Sequence, residues 1–267
     1  MIQVDCITKY NEDPNQKSCF ELHECSQITS LDNYLIIYDN AFVYYINIAT
    51  NKVIIKQRLN FSLSKILNIE NTNDIITFYD DVNVDTSAEK TKLKTKKASL
   101  FYVKLVQCAK NQSAYELLVI EKVYYKKIDD IKLYKNQLVV LSDEKSTIEI
   151  YNVDFLLHNN LFEPEPYSLN FNALANDFIS FYEMTPNCNY LAILGEELLL
   201  YLVKIASNTI IAVIPLQIFY KNLIASNKFI SIFSSSETYL HSFSIIDHSE
   251  QDHLKKIEEL KLNKSLT

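Results

Sequence analysis

Glycine is almost missing from this chain of 267 residues: Gly195 is the single one, and tryptophan is absent. A phosphate cradle of the glycine-rich kind needs several glycines close together, so nucleotide hydrolysis by that route is excluded. Arginine is nearly as scarce, with Arg58 alone among 26 basic residues, whereas Asn, Lys, Ile and Tyr abound. Such a bias reads as a genome poor in G and C, with turns handed to Asn and Asp because they tolerate left-handed backbone best after glycine. The five cysteines are odd in number and hold no CxxC pair, and residues 1–10 lack a cationic start followed by an apolar run. Both features predict a reduced intracellular setting, nuclear or cytoplasmic. No apolar run nears the roughly 18 residues that span a bilayer, so no membrane partner is expected. A net charge of -7 leaves the chain without the basic footprint of a stand-alone nucleic-acid binder.

What the chain does have is apolar and aromatic mass, 48% hydrophobic residues with 18 Tyr and 14 Phe, which predicts a folded core of pleated strands. Five apolar runs each follow an Asn, at Asn33, Asn73, Asn136, Asn189 and Asn227. Each is joined across a short polar gap by a second run, at residues 42–48, 100–106, 147–153, 198–205 and 238–246. That is one hairpin repeated five times. The steps between the Asn anchors are 40, 63, 53 and 38, near the roughly 40 to 45 residues of a four-stranded propeller blade once insertions are allowed. The insertions are visible: a polar, Lys-rich stretch at residues 82–97, and residues 155–166, whose Glu163-Pro164-Glu165-Pro166 cannot lie in a central strand. Runs apolar on both faces, such as residues 198–203, suit sheets packed between neighbours. With strands at residues 4–10 and 20–24 completing a further blade, the fold class expected is all-β: a WD40-like β-propeller of six or seven degenerate blades over residues 1–249. Residues 250–267 are expected to form a short C-terminal helical tail, with Leu254, Ile257, Leu260 and Lys261 on one face.

No set of residues has the spacing of a catalytic site, and no cofactor is implied. His241, His248 and His253, near Asp247 and Asp252, read as a polar, solvated segment rather than as a metal site, and Cys19, His23 and Cys25 as strand or loop thiols rather than zinc ligands. Glu163 and Glu165 read as a rigid exposed loop, because a general acid/base pair needs a pocket that shifts its pKa. Lys90, Lys92, Lys94, Lys96 and Lys97 form the one concentrated basic run. It reads either as an insertion solvated by its own charge or as an arm that touches RNA phosphates or an acidic partner.

The order of segments resembles the WD-repeat non-catalytic subunit of tRNA (guanine-N7-)-methyltransferase. The resemblance lies in Gln57-Arg58-Leu59-Asn60-Phe61-Ser62, then Leu67-Asn68-Ile69 and a strand from Asn73. It continues in Ile128-Asp129-Asp130-Ile131-Lys132-Leu133, Val139-Val140-Leu141-Ser142-Asp143 and Ile148-Glu149-Ile150, and more loosely in residues 210–233. The resemblance implies a scaffold that is not itself an enzyme. It would form a heterodimer with a catalytic methyltransferase subunit, stabilise it and help to position tRNA. It also implies a partner contact at Asp143, Glu144, Lys145 and Glu149, although Glu144 and Glu149 stand where that family favours positive charge. The alternative reading is an adaptor of a coat, nuclear-pore or vesicle-tethering complex, a ring that accepts a strand from its partner; a propeller hydrolase would need acidic or His residues converging on a channel.

Overall fold

Each of the five anticipated hairpins forms the middle of a four-stranded antiparallel sheet. The structure, a computed structural model, describes residues 27–31, 33–39, 42–59, 64–72, 74–80, 98–107, 115–124, 126–217, 219–234, 239–246 and 253–261. The first sheet is β1 (Gln27–Leu31), β2 (Tyr34–Asp39), β3 (Phe42–Asn47) and β4 (Lys52–Arg58). The second is β5 (Lys65–Asn68), β6 (Ile75–Asp80), β7 (Ala98–Gln107) and β8 (Tyr115–Tyr124). The third is β9 (Ile128–Tyr134), β10 (Gln137–Ser142), β11 (Thr147–Asn152) and β12 (Tyr167–Asn170), with helix α1 (Val153–Asn159) before β12 and α2 (Phe171–Ala175) after it. The fourth is β13 (Ile179–Met184), β14 (Tyr190–Gly195), β15 (Leu199–Lys204) and β16 (Thr209–Pro215). The fifth is β17 (Tyr220–Ala225), β18 (Phe229–Ser234), β19 (Tyr239–Ile246) and β20 (His253–Lys261).

One expectation needs correction. The segment taken for a C-terminal helix is β20, paired with β19 from Ile246↔His253 to Tyr239↔Lys261. A bulge between Ser242 and Phe243 leaves Ile257 without an opposite residue, and one extra residue breaks the two-residue period by which a strand is recognised. Helix α1 overlaps the start of the insertion expected at residues 155–166. Its start is built from Asn136, whose carbonyl accepts the Val153 N–H and whose amide donates to Asp154 Oδ2, while Asn152 Oδ1 accepts the Asp154 N–H. Five sheets lie among the described residues; residues 4–10 and 20–24, assigned to a further blade, fall outside them. No helix among the described residues is long and apolar enough to cross a membrane.

Contacts group the chain into two compact units, Met1–Leu133 with Phe155–Phe162, and Tyr134–Asp154 with Glu163–Thr267. In the first, Ile36, Val43 and Tyr45 of the first sheet pack with Ile75, Phe101 and Val103 of the second. The leading strands of this unit are also tied by side chains. On β5, Lys65 Nζ donates to Asp130 Oδ1 at 2.7 Å and to the Ile131 carbonyl at 2.8 Å, both on β9. At the other end of β5, Asn68 Nδ2 donates to the Ser30 carbonyl at 3.0 Å and to Thr29 Oγ1 on β1.

In the second unit β14 and β15 explain why the central runs are apolar throughout. Leu191, Ile193, Tyr201 and Val203 enter one cluster, shared with Val139, Ile148 and Ile150 of the third sheet. Tyr190, Ala192, Leu194, Leu200 and Leu202 enter another, shared with Ile230, Ile232 and Phe243 of the fifth. Alternate residues thus serve opposite faces, both buried.

Gly195 is required by space and not by dihedral angle. Among the described residues eleven non-glycine positions have positive φ, five of them Asn, whereas Gly195 is not among the positive-φ positions. A β-carbon on residue 195 would lie 1.9 Å from Asp177 Oδ2. Asp177 is only 3% exposed. Its Oδ1 accepts the N–H groups of Phe178, Glu196 and Glu197 at 2.7, 3.1 and 3.3 Å, and its Oδ2 accepts the Tyr201 hydroxyl at 3.0 Å. Burial, reinforced by the Asp177 carboxylate, pushes the Tyr201 hydroxyl pKa up. Asp177→Ala removes the acceptor of the buried Tyr201 hydroxyl and of the Phe178 and Glu197 N–H groups and is expected to cost about 3 kcal/mol or more, and Gly195→Ala about 2 kcal/mol or more by overpacking. The double variant is expected to lose less than the two losses added together, because removing the carboxylate makes room for the methyl group. Urea unfolding of the three variants checks this, and strict additivity would contradict it.

Candidate partner-binding site

Ser142 stands opposite Thr147 in the β10–β11 ladder, so the connection is the four residues 143–146. Asp143, Glu144 and Lys145 have φ of 59°, 55° and 64° in succession. Left-handed backbone costs an L residue roughly 1 to 2 kcal/mol, less for Asp, so three in a row persist only where other contacts impose them.

Those contacts are present. Within the turn, the Ser146 N–H donates to the Ser142 and Asp143 carbonyls, both at 3.2 Å, and Ser146 Oγ donates to the Asp143 carbonyl at 2.6 Å. From outside it, the Ile179 N–H donates to the Lys145 carbonyl at 2.9 Å, and the Phe171 and Asn172 N–H groups donate to the Ser146 carbonyl at 2.8 and 3.3 Å. Lys145 Nζ lies 3.2 Å from Glu196 Oε1, an exposed pair worth little by itself. Lys145 is thereby drawn aside, and the exposed Glu144 stands at the tip of a rigid, mainly acidic projection.

Of the four residues expected to meet a partner, the structure brings Asp143, Glu144 and Lys145 together in this turn. Glu149 is not with them: it lies inside β11, half-buried, where the Tyr151 hydroxyl donates to its carboxylate. Lys90, Lys92, Lys94, Lys96 and Lys97 lie outside the described residues, as do Cys19, His23, Cys25 and His248. His241 is on β19, its ring edge-on to Tyr220 with centroids 5.6 Å apart. Glu163 Oε2 accepts the Asn152 N–H at 2.9 Å, so this acid closes the loop after α1. Among the described residues no three His, Cys, Asp or Glu side chains gather as metal ligands.

Sequence reasoning missed two buried acids that share a signal. The chain contains two Asn-Asp dipeptides, Asn73-Asp74 and Asn176-Asp177. Each Asp accepts a hydroxyl from a tyrosine on the third strand of a sheet, Tyr201 on β15 and, at 2.7 Å, Tyr102 on β7. Asp74 is 5% exposed, and the fully buried Tyr45 lies close enough for the Asp74 charge to raise its pKa, after burial itself. Burial pushes the Asp74 carboxyl above its ordinary value, against the opposing pull of the Tyr102 hydrogen bond and the Lys104 charge. A pocket of about 180 Å³ lies between residues 214–217 and Tyr220, His241 and Phe243.

No protein-family model matches the sequence, and no curated protein is similar to it in sequence. Solved structures are similar in fold. A chain of the mitotic checkpoint complex matches with a TM-score of 0.53 at 11% identity, over 91% of this chain and 68% of that one. The β-propeller domain of Cps50 (Swd1) from Myceliophteria thermophila matches with a TM-score of 0.50 at 10% identity, over 89% and 72%. Dihydro-heme d1 dehydrogenase NirN in complex with DHE matches with a TM-score of 0.53 at 10% identity, over 92% of this chain and 48% of that one. Identities this low establish the fold alone: an all-β, WD40-like propeller.

The Asp74 environment has a pH signature. With its folded-state pKa raised, its contribution to stability is fully present below the unfolded value, near 4, and is lost as pH rises through the folded-state value. Asp74→Asn keeps an acceptor for Tyr102 and removes the titration. The variant is expected to be more stable than the parent at pH 7, with the difference shrinking as pH falls towards about 4. Thermal unfolding of both proteins across that range checks it, and a pH-independent difference would refute the assignment.

Proposed function

We propose that this chain is a non-catalytic propeller scaffold that docks a catalytic protein subunit on the turn after β10, and that this subunit is a tRNA (guanine-N7-)-methyltransferase. The observation that carries the docking site is the run of three left-handed residues, Asp143, Glu144 and Lys145, held from outside by Ile179, Phe171 and Asn172. Strain of that kind is retained where geometry matters, and its effect here is to fix Glu144 in one place, so that binding loses little conformational freedom.

The identity of the partner rests on the segment resemblance, whose central part falls on β9, β10 and β11 on either side of this turn. Where that family favours positive charge the present turn is acidic. The facing surface of the partner must then carry Lys or Arg, a complementarity that acts mostly on association rate and specificity. In this reading tRNA is held by the complex, and Lys90, Lys92, Lys94, Lys96 and Lys97 supply phosphate contacts whose strength falls as salt rises.

Co-expression with the methyltransferase subunit of the same organism is the test. A stable one-to-one complex is expected, together with loss of N7-methylguanine from tRNA when the chain is depleted. Glu144→Lys is expected to weaken the complex about tenfold, some 1.4 kcal/mol, without moving the unfolding midpoint of the isolated chain. Recovery without a methyltransferase, with tRNA methylation unchanged, would sink the proposal.

A further inference from the structure

The last strand of each sheet has one edge outside the ladder, and such edges are normally protected by charge, shortness or proline. β4 carries Lys52, Lys56 and Arg58; β8 carries Glu116, Glu121 and Lys122; β20 carries Lys255, Lys256, Glu258, Glu259 and Lys261. β12 is only four residues long. β16 has neither charge nor shortness, and its one protective residue is the terminal Pro215. Its seven residues, Thr209-Ile210-Ile211-Ala212-Val213-Ile214-Pro215, include no charge and five β-branched side chains.

The backbone geometry shows what this edge can bind. The Leu216 N–H donates to the Leu198 carbonyl at 2.8 Å, and Leu200↔Ile214 and Leu202↔Ala212 continue in register. Antiparallel pairs alternate, so the Val213 N–H and C=O point away from β15. On one side of Val213 stands Pro215, with no N–H to give; on the other, Ile211 is the extra residue of a bulge between Leu202 and Val203. Pairing along this edge is therefore centred on Val213. Although β20 approaches β16, it is not part of that ladder, and Val213 remains 49% exposed.

We propose that β16 pairs antiparallel with β16 of a second copy of this chain, about a two-fold axis at Val213. A two-fold sets residue 213 opposite itself, so its N–H and C=O exchange both hydrogen bonds with their symmetry mates. An antiparallel strand that meets itself also sets like charges near each other where all its charges have one sign, which would penalise β4 with Lys52, Lys56 and Arg58 and does not arise for β16. Beside the strand, Phe219 is 69% exposed, more than any other large apolar side chain among the described residues. It adjoins Tyr220, which lines the pocket of about 180 Å³ that begins at Ile214. A cavity of about 150 Å³ already admits a benzene ring, so this pocket has room for the Phe219 ring of the other copy. The proposal concerns a different sheet from the methyltransferase contact and does not rest on that reading.

Sedimentation equilibrium of the full chain, at about 10 to 200 μM, reads the outcome in a range suited to an interface at the small end of known sizes. A monomer–dimer equilibrium is expected. Because two copies of net charge -7 repel, it should tighten severalfold as salt rises from about 50 to 300 mM. Hydrogen exchange at the Val213 amide should slow as protein concentration rises. V213K, at an exposed site, should abolish the dimer and leave the unfolding midpoint of the monomer unchanged; F219A should weaken it. A parent chain that stays monomeric throughout, or a dimer indifferent to V213K, overturns the proposal. So does a monomer that instead binds a synthetic peptide copying residues 209–215, since the edge would then serve a foreign strand. Methyltransferase binding, measured separately, stands or falls without reference to these results.

Discussion

The Asp177 carboxylate occupies the space that a side chain on residue 195 would fill, and the fourth sheet is arranged around that substitution of one group for another. A buried carboxylate is costly unless its oxygens are met, and here four donors meet them. Three are backbone N–H groups from the start of β13 and the turn after β14; the fourth is a tyrosine of β15. The same network reaches the candidate partner turn. Ile179, two residues after Asp177, gives its N–H to the Lys145 carbonyl, and Glu196, whose N–H Asp177 accepts, gives its carboxylate to the Lys145 ammonium. The strained geometry of residues 143–145 is thus fixed by a neighbouring sheet that a single carboxylate holds in order. A turn fixed in this way would present Glu144 to the proposed partner at little further cost in backbone entropy.

The central hairpins were legible because each lies between two apolar environments. β14 and β15 send alternate residues into two clusters, which makes their sequence continuously apolar and hard to mistake. The flanking strands were harder to see for opposite reasons. β5 is four residues with Lys65 and Asn68 at its ends, because those side chains tie β5 to its neighbours rather than enter the core. β20 carries five charged residues on an outer edge, and its bulge at Ile257 spoils the alternation, so a three-residue spacing of Leu254, Ile257 and Leu260 imitated a helix. Hydrogen bonds to β19 decided the matter, since local periodicity is a weak prior against a ready partner strand.

The candidate site was half legible. Ser142-Asp143 after an apolar run marks the end of a strand, and that placed the turn correctly. Three successive left-handed residues could not be read, because Glu144 and Lys145 have no preference for that conformation; contacts from β13 and α2 impose it. Glu149 was grouped with the turn by proximity along the chain, yet two steps into a strand carry a residue roughly 6 to 7 Å away, and Tyr151 engages it there. The two Asn-Asp dipeptides held information that residue-type reasoning did not use: in both, the Asp is buried beneath a tyrosine hydroxyl.

A chain with one glycine has to make its turns some other way, and its left-handed residues are distributed accordingly. Of the eleven among the described residues five are Asn, for which the conformation costs little. The remainder include Lys135, Glu144, Lys145, Cys188 and Leu198, where the cost is real and must be met by neighbouring contacts. Leu198 shows how: its carbonyl accepts the Leu216 N–H, and Asp177 receives the two N–H groups just before it. The left-handed residues other than Asn therefore all stand in turns of the third and fourth sheets, and the one glycine lies in the fourth, for clearance rather than for a turn. The candidate turn after β10 is anchored to the fourth sheet through Ile179, and the uncharged edge of β16 belongs to that sheet.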